Sequence, residues 1–164
     1  LITSRLEATG LPANPAEIDL TGLLRQITER AARDPLTAQL QPKLELTDDE
    51  ALLVRADAAL LKRAVNNLIE NAAKYSRHRE AVIRVRVKHF NSVVRIEVQN
   101  DATPSNAEKF EEKVKILLNS DLEELHIQIV EDQSRENTHS GLGLVLLAKD
   151  YPCTFGFSFR RAGP

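Results

Sequence analysis

Between Leu20 and Ala31 the apolar side chains Leu20, Leu23, Leu24, Ile27 and Ala31 recur at helical spacing. Asp19 stands before them as an N-cap, and Pro35 stops the helix. Two short alternating runs follow, residues 43–47 and 51–55, separated by Asp48-Asp49-Glu50; they predict two strands joined by a turn. The strongest helix signal covers residues 57–75, where Leu61, Val65, Leu68 and Ala72 make one apolar stripe. Residues 82–90 and 93–99 then alternate. Ile83, Val85 and Val87 interleave with Arg84, Arg86 and Lys88, and Val94, Ile96 and Val98 with Arg95, Glu97 and Gln99. This predicts an antiparallel hairpin with one wet face, turning at Asn91-Ser92.

A helix with Phe110, Val114 and Leu117 inward is expected at residues 104–118. Residues 121–130 fit both periods, since Leu122 and Leu125 suit a helix while His126-Ile127-Gln128-Ile129 alternates. Residues 131–140 are polar and aperiodic, which predicts a loop; a short helix at Leu142–Asp150 and a last strand at 154–160 follow. Gly10-Leu11-Pro12 and Asn14-Pro15 break helices, so residues 1–9 read as the tail of an upstream helix and 1–15 as that tail with its linker. The rest, 16–164, is one domain. Helices collected on one face of a mixed, mainly antiparallel sheet give a two-layer α/β (α+β) sandwich.

Composition sets bounds. The chain has 164 residues, 42% hydrophobic and 28% charged, which suits a globular core. Its net charge of −2 gives no basic excess for nucleic acid or anionic lipid. No apolar run approaches the roughly 18 residues of a membrane span. One cysteine, Cys153, leaves no internal disulfide and no cysteine-based zinc cluster, and a cytoplasmic setting is expected. The chain begins at Leu1 and contains no methionine, as a piece of a longer protein would.

Three features carry chemistry. In Asn66-Asn67-Leu68-Ile69-Glu70-Asn71-Ala72-Ala73-Lys74-Tyr75-Ser76, residues Asn67, Asn71 and Lys74 share a helix face away from Leu61 and Val65. Carboxamide oxygens are hard ligands suited to Mg²⁺, and a lysine supplies a point charge to phosphate oxygens. On residue type alone a solvated polar face explains them about as well. Ser140-Gly141-Leu142-Gly143-Leu144 opens a helix after a polar loop, where glycines let backbone approach a ligand and a helix N-terminus attracts anions. It lacks the third glycine and the preceding strand of a dinucleotide fingerprint, so a plain turn into a helix stays open. Asn100-Asp101-Ala102 ends the second hairpin strand, where a side chain can read a base edge or simply close an Asx turn.

In this order the three resemble the histidine-kinase branch of the ATPase family that includes gyrase and Hsp90. Residues 67–76 resemble that branch's N box, Gly141-Leu142-Gly143-Leu144 its second glycine box, and Arg55-Ala56-Asp57 the approach to the N-box helix. Ile2-Thr3-Ser4-Arg5-Leu6-Glu7-Ala8, with Asp19-Leu20 beyond, resembles the exit from a dimerisation hairpin. The resemblance implies a Bergerat ATP-binding fold acting as a histidine protein kinase on Mg-ATP. It implies Asn71 as the Mg²⁺ ligand, Asn67 and Lys74 at the phosphates, Tyr75 in the adenine pocket and Asn100 at the base. Ser140, Gly141, Leu142, Gly143 and Leu144 are implied at the end of an ATP lid. The γ-phosphate would go to a histidine outside this segment, because no histidine here precedes an acidic residue. Implied partners are the chain's own dimerisation domain and a response regulator, with neither nucleic acid nor membrane touching this segment and the isolated domain a monomer. Any membrane anchor belongs to the parent protein.

The sequence departs from that pattern at Asn100-Asp101-Ala102-Thr103-Pro104, where the first glycine box has no glycine, and at the short C-terminal end. A degenerate domain acting as an interaction module is therefore the alternative. A serine kinase of the anti-sigma type, on the same fold, is a further rival.

Overall fold

The computed structural model describes residues 2–3, 14–46, 50–76, 82–90, 93–136, 142–150 and 154–160. The chain forms two compact units, one made of Ala13–Asn106 and one of Leu1–Pro12 with Ala107–Pro164.

The unit Ala13–Asn106 carries β2 (Ala16–Asp19), α1 (Leu20–Ala31), β3 (Lys43–Leu46), β4 (Leu53–Ala56), α2 (Ala58–Lys74), β5 (Arg84–Phe90) and β6 (Val93–Gln99). Asp19 caps α1 as expected, its carboxylate accepting from Gly22 N at 3.0 Å. Helix α1 ends at Ala31, before Pro35, and a 3₁₀ turn at Ala38–Leu40 leads to β3. The expected hairpin forms, Arg84 opposite Gln99 and Phe90 opposite Val93. Val85 and Val87 point into the core, while Arg84, Arg86 and Lys88 alternate with them on the other face.

β3 and β4 do not pair with each other. β3 runs parallel to β5, with Glu45 opposite Arg86, and β4 runs antiparallel to β2, with Ile18 opposite Val54. In this register Leu44 and Leu46 pack against the buried cluster, and Glu45 lies between two arginines, 3.4 Å from Arg84 Nε and hydrogen-bonded to Arg86 Nε. Strand β2 occupies the start of the domain, up to the Asp19 cap, where no strand was expected. Leu20, Leu24 and Ile27 of α1, Val65, Ile69 and Ala72 of α2, and Ile83, Val85 and Val87 form one buried cluster. Leu61 joins its edge, whereas Ile69, at 2% exposure, takes the central place expected for Leu68. Two sheets, the mixed three-stranded β3-β5-β6 and the antiparallel pair β2-β4, thus pack apolar side chains under two helices, the expected α/β class with the one expected sheet divided in two.

The second unit carries β1 (Ile2–Thr3), most of α3 (Pro104–Asn119), α4 (Leu122–Glu136), α5 (Leu142–Asp150) and β7 (Gly156–Phe157). Three expectations change here. The two-period stretch at 121–130 is helical, because the Asp121 carboxylate accepts from Glu123 N (2.9 Å) and Glu124 N (3.0 Å), and two acids then sit in the first turn. That helix continues to Glu136, so the loop expected from residue 131 is helical in its first part, and residues 137–141 lie outside the described residues. The last strand shrinks to Gly156–Phe157 and pairs with Ile2–Thr3, an extended pair where a helix tail was expected. The Phe110 ring stands edge-on to Phe157 (5.8 Å) and tilted against Phe159 (5.9 Å). The turns expected at Asp48-Asp49 and Asn91-Ser92 also lie outside the described residues. Among those described, no helix is long and apolar enough to cross a membrane.

Candidate functional site

Helix α2 positions the first set of candidates. Asp57 starts it, its carboxylate accepting from Leu60 N and from Asn14 N, both at 2.9 Å. The Leu60 amide, then that of Asn14, holds the Asp57 carboxyl below its usual range. The apolar face of α2 fixes its rotation on the sheet, which sets Asn67, Asn71 and Lys74 along one flank of that face. Asn67 and Asn71 are half-buried and Lys74 is exposed. Asn71 Nδ2 donates to the Asn67 carbonyl at 2.7 Å. A carbonyl can only accept, so this bond assigns the two ends of the carboxamide and leaves Oδ1 as an acceptor. That is the end a hard cation needs, and Asn71 therefore fits a Mg²⁺ ligand.

The C-terminal turn of α2 meets the end of β6. Tyr75 closes the helix at 9% exposure, and Lys74 Nζ lies 6.0 Å from its ring centre. Ser76 Oγ donates to the Ala72 carbonyl at 2.8 Å, and Asn100 Nδ2 donates to Ser76 Oγ at 3.4 Å. Asn106 Nδ2 reaches the carbonyls of Tyr75 (3.5 Å) and Ser76 (3.4 Å). Thr103 Oγ1 in turn accepts from Asn106 N at 3.2 Å, so Thr103 caps α3 with Pro104 in its first position. Asn67, Asn71, Lys74, Tyr75 and Asn100 thus belong to one unit, joined by the α2 end and the β6 end. Ser76, Thr103 and Asn106 were not among the expected site residues. The Thr-Pro-x-Asn order is an N-cap signature and was the available signal for the last two.

The glycine-rich candidates belong to the other unit. Leu142, Gly143 and Leu144 open α5. Leu144 is buried at 5% exposure, so only its backbone is available to a ligand. Ser140 and Gly141 lie outside the described residues. A shallow cavity of about 330 Å³ lies elsewhere, at the start of α1 and α2, lined by Ile18, Asp19, Gly22, Leu23, Gln26 and Ala58. Ala58 and Lys74 are at opposite ends of a helix roughly 24 Å long. With one acid and no cation in its walls, that cavity is unsuited to phosphates.

Among curated protein sequences none matches the chain. Similar solved structures include the histidine kinase AdeS of Acinetobacter baumannii, at 17% identity and a TM-score of 0.47, over 56% of this chain and 44% of that one. Full-length ShkA in complex with AMPPNP is similar at 23% identity and a TM-score of 0.44, over 57% of this chain and 20% of that one. The chain thus spans less than half the length of either. A family described as histidine kinase-, DNA gyrase B- and HSP90-like ATPase matches residues 56–151, which take in α2, the β5–β6 hairpin and α3 to α5. That match covers more than half of the sequence, and the chain belongs to this ATPase family.

Proposed function

We propose that this segment is the ATP-binding catalytic domain of a two-component sensor histidine kinase, which holds Mg-ATP and hands its γ-phosphate to a histidine outside the segment. The observation that carries this reading is the polar face of α2, with Asn67, Asn71 and Lys74 in line and Asn100 held at its C-terminal end. Asn71 Oδ1 would hold Mg²⁺, which when bound neutralises phosphate charge. Asn67 and Lys74 would attend the phosphates, and the Tyr75 ring would wall the base. The Asn100 carboxamide oxygen would accept from the 6-amino group of adenine. By the resemblance, Ser140, Gly141, Leu142, Gly143 and Leu144 would be the end of the ATP lid. Catalysis on this reading is mostly positioning and charge neutralisation.

The phosphoacceptor domain and a response regulator would be the partners of the parent protein, in the cytoplasm, and the isolated domain would be monomeric. A second reading, a degenerate domain serving as an interaction module, draws support from Ala102, which stands where a glycine would let the nucleotide approach. Titration of the 164-residue chain with a fluorescent ATP analogue, with and without Mg²⁺, decides between them. The kinase reading expects saturable binding that Mg²⁺ strengthens; no binding in either condition establishes the degenerate domain.

A further inference from the structure

An aspartate facing adenine accepts hydrogen bonds through either oxygen, whereas an asparagine is two-faced and must be turned the right way. In this chain the turning is built in. Ser76 Oγ–H is committed to the Ala72 carbonyl at 2.8 Å, so toward Asn100 the hydroxyl can only accept. It accepts from Asn100 Nδ2 at 3.4 Å, and the carboxamide oxygen is thereby the end left for a ligand. Ser76 itself is steadied by Asn106, whose amide reaches the Tyr75 and Ser76 carbonyls while its backbone N–H meets Thr103 Oγ1.

We propose that Ser76 is a positioning residue for nucleobase choice: it orients the Asn100 carboxamide so that the site presents an acceptor and prefers a 6-amino purine to a 6-oxo purine. The proposal rests on the nucleotide-site reading given above. Without the Ser76 hydroxyl the carboxamide is released to rotate. It then presents Nδ2 equally well, which suits the 6-oxygen of guanine.

The test is displacement of a fluorescent ATP analogue from the full chain by ATP and by GTP, in Mg²⁺, for wild type, Ser76→Ala, Ser76→Thr and Ser76→Ala with Asn100→Asp. Ser76→Ala is expected to weaken ATP and tighten GTP, lowering the ATP-to-GTP preference by roughly three- to tenfold, the range of one neutral hydrogen bond. Ser76→Thr keeps the hydroxyl and should keep the preference. Asn100→Asp should restore it in the Ser76→Ala background, because a carboxylate needs no orienting. A merely structural Ser76 would weaken both nucleotides together, and that result, or an unchanged preference, overturns the proposal. Mg²⁺-dependent ATP binding by wild type that Asn71→Ala impairs upholds the site reading whatever Ser76 does; a wild type that binds neither nucleotide removes both.

Discussion

Replacing Asn71 by alanine separates a metal-site asparagine from a solvated one, because the two roles differ in what they cost. In the folded protein Asn71 Nδ2 makes one hydrogen bond, 2.7 Å to the Asn67 carbonyl. Within α2 that carbonyl also accepts from the Asn71 backbone N–H, so truncation leaves no orphaned group. Losing the side-chain bond costs about 0.5–1.5 kcal/mol. Alanine is the better helix former by about 0.5 kcal/mol, which offsets part of it. Folding stability should therefore move by about 1 kcal/mol or less. Binding should move far more, since an interaction with a charged partner is worth about 1.5–3 kcal/mol, or roughly ten- to a hundredfold in Kd. The loss should appear chiefly when Mg²⁺ is present. Nucleotide titrations with Mg²⁺ and with a chelator, beside urea melts of both proteins, measure the change in binding and the change in stability. Equal affinity of mutant and wild type in Mg²⁺ would refute the assignment; a loss of the same size without Mg²⁺ would assign Asn71 to nucleotide rather than metal.

Ile69→Ala, at the centre of the cluster under α2, should destabilise by about 2–5 kcal/mol, read as a lower urea midpoint at an unchanged slope, and an unshifted midpoint would remove Ile69 from the core. The Asp57 carboxyl is depressed on folding, so its contribution to stability is present above the unfolded carboxylate pKa and is lost as pH falls through the lower folded value. Asp57→Ala should accordingly be less stable than wild type at neutral pH, with the gap narrowing in acid; urea melts at a series of pH values show this, and a gap that widens in acid would contradict it. Because His78, His89, His126 and His139 each precede a non-acidic residue, the chain incubated alone with radiolabelled ATP should acquire no acid-labile label. Stable labelling on any of the four would refute the claim that the acceptor lies elsewhere.

The asparagine face of α2 was legible because its signal is local: residues 67–76 are contiguous, and helical spacing alone puts Asn67, Asn71 and Lys74 on one side. The hairpin was legible for the same reason, since alternation and a polar turn lie within one short stretch. The partner of β3 was not. Its partner β5 lies about forty positions later, beyond all of α2, and a run of four residues carries no mark of that. Residues 121–130 were ambiguous because Ile127 and Ile129 alternate; the Asp121 cap decided them, a contact of one carboxylate with two backbone amides. Ser76 was visible in the motif, but its role depends on a proton committed to Ala72, which only geometry reveals.

The parallel pairing of β3 with β5 also has a consequence for synthesis on the ribosome. Glu45 and its partner Arg86 are 41 residues apart, and all of α2 is made in between. At about 5–20 residues per second the nascent chain spends roughly 2–8 seconds with β3 extruded in order but unpaired. Throughout that interval Leu44 and Leu46 have no sheet to join, and an unpaired apolar strand is a template for other chains. Lys43 and Glu45, interleaved with those leucines, put charge on every second position of that strand and so guard it while it waits.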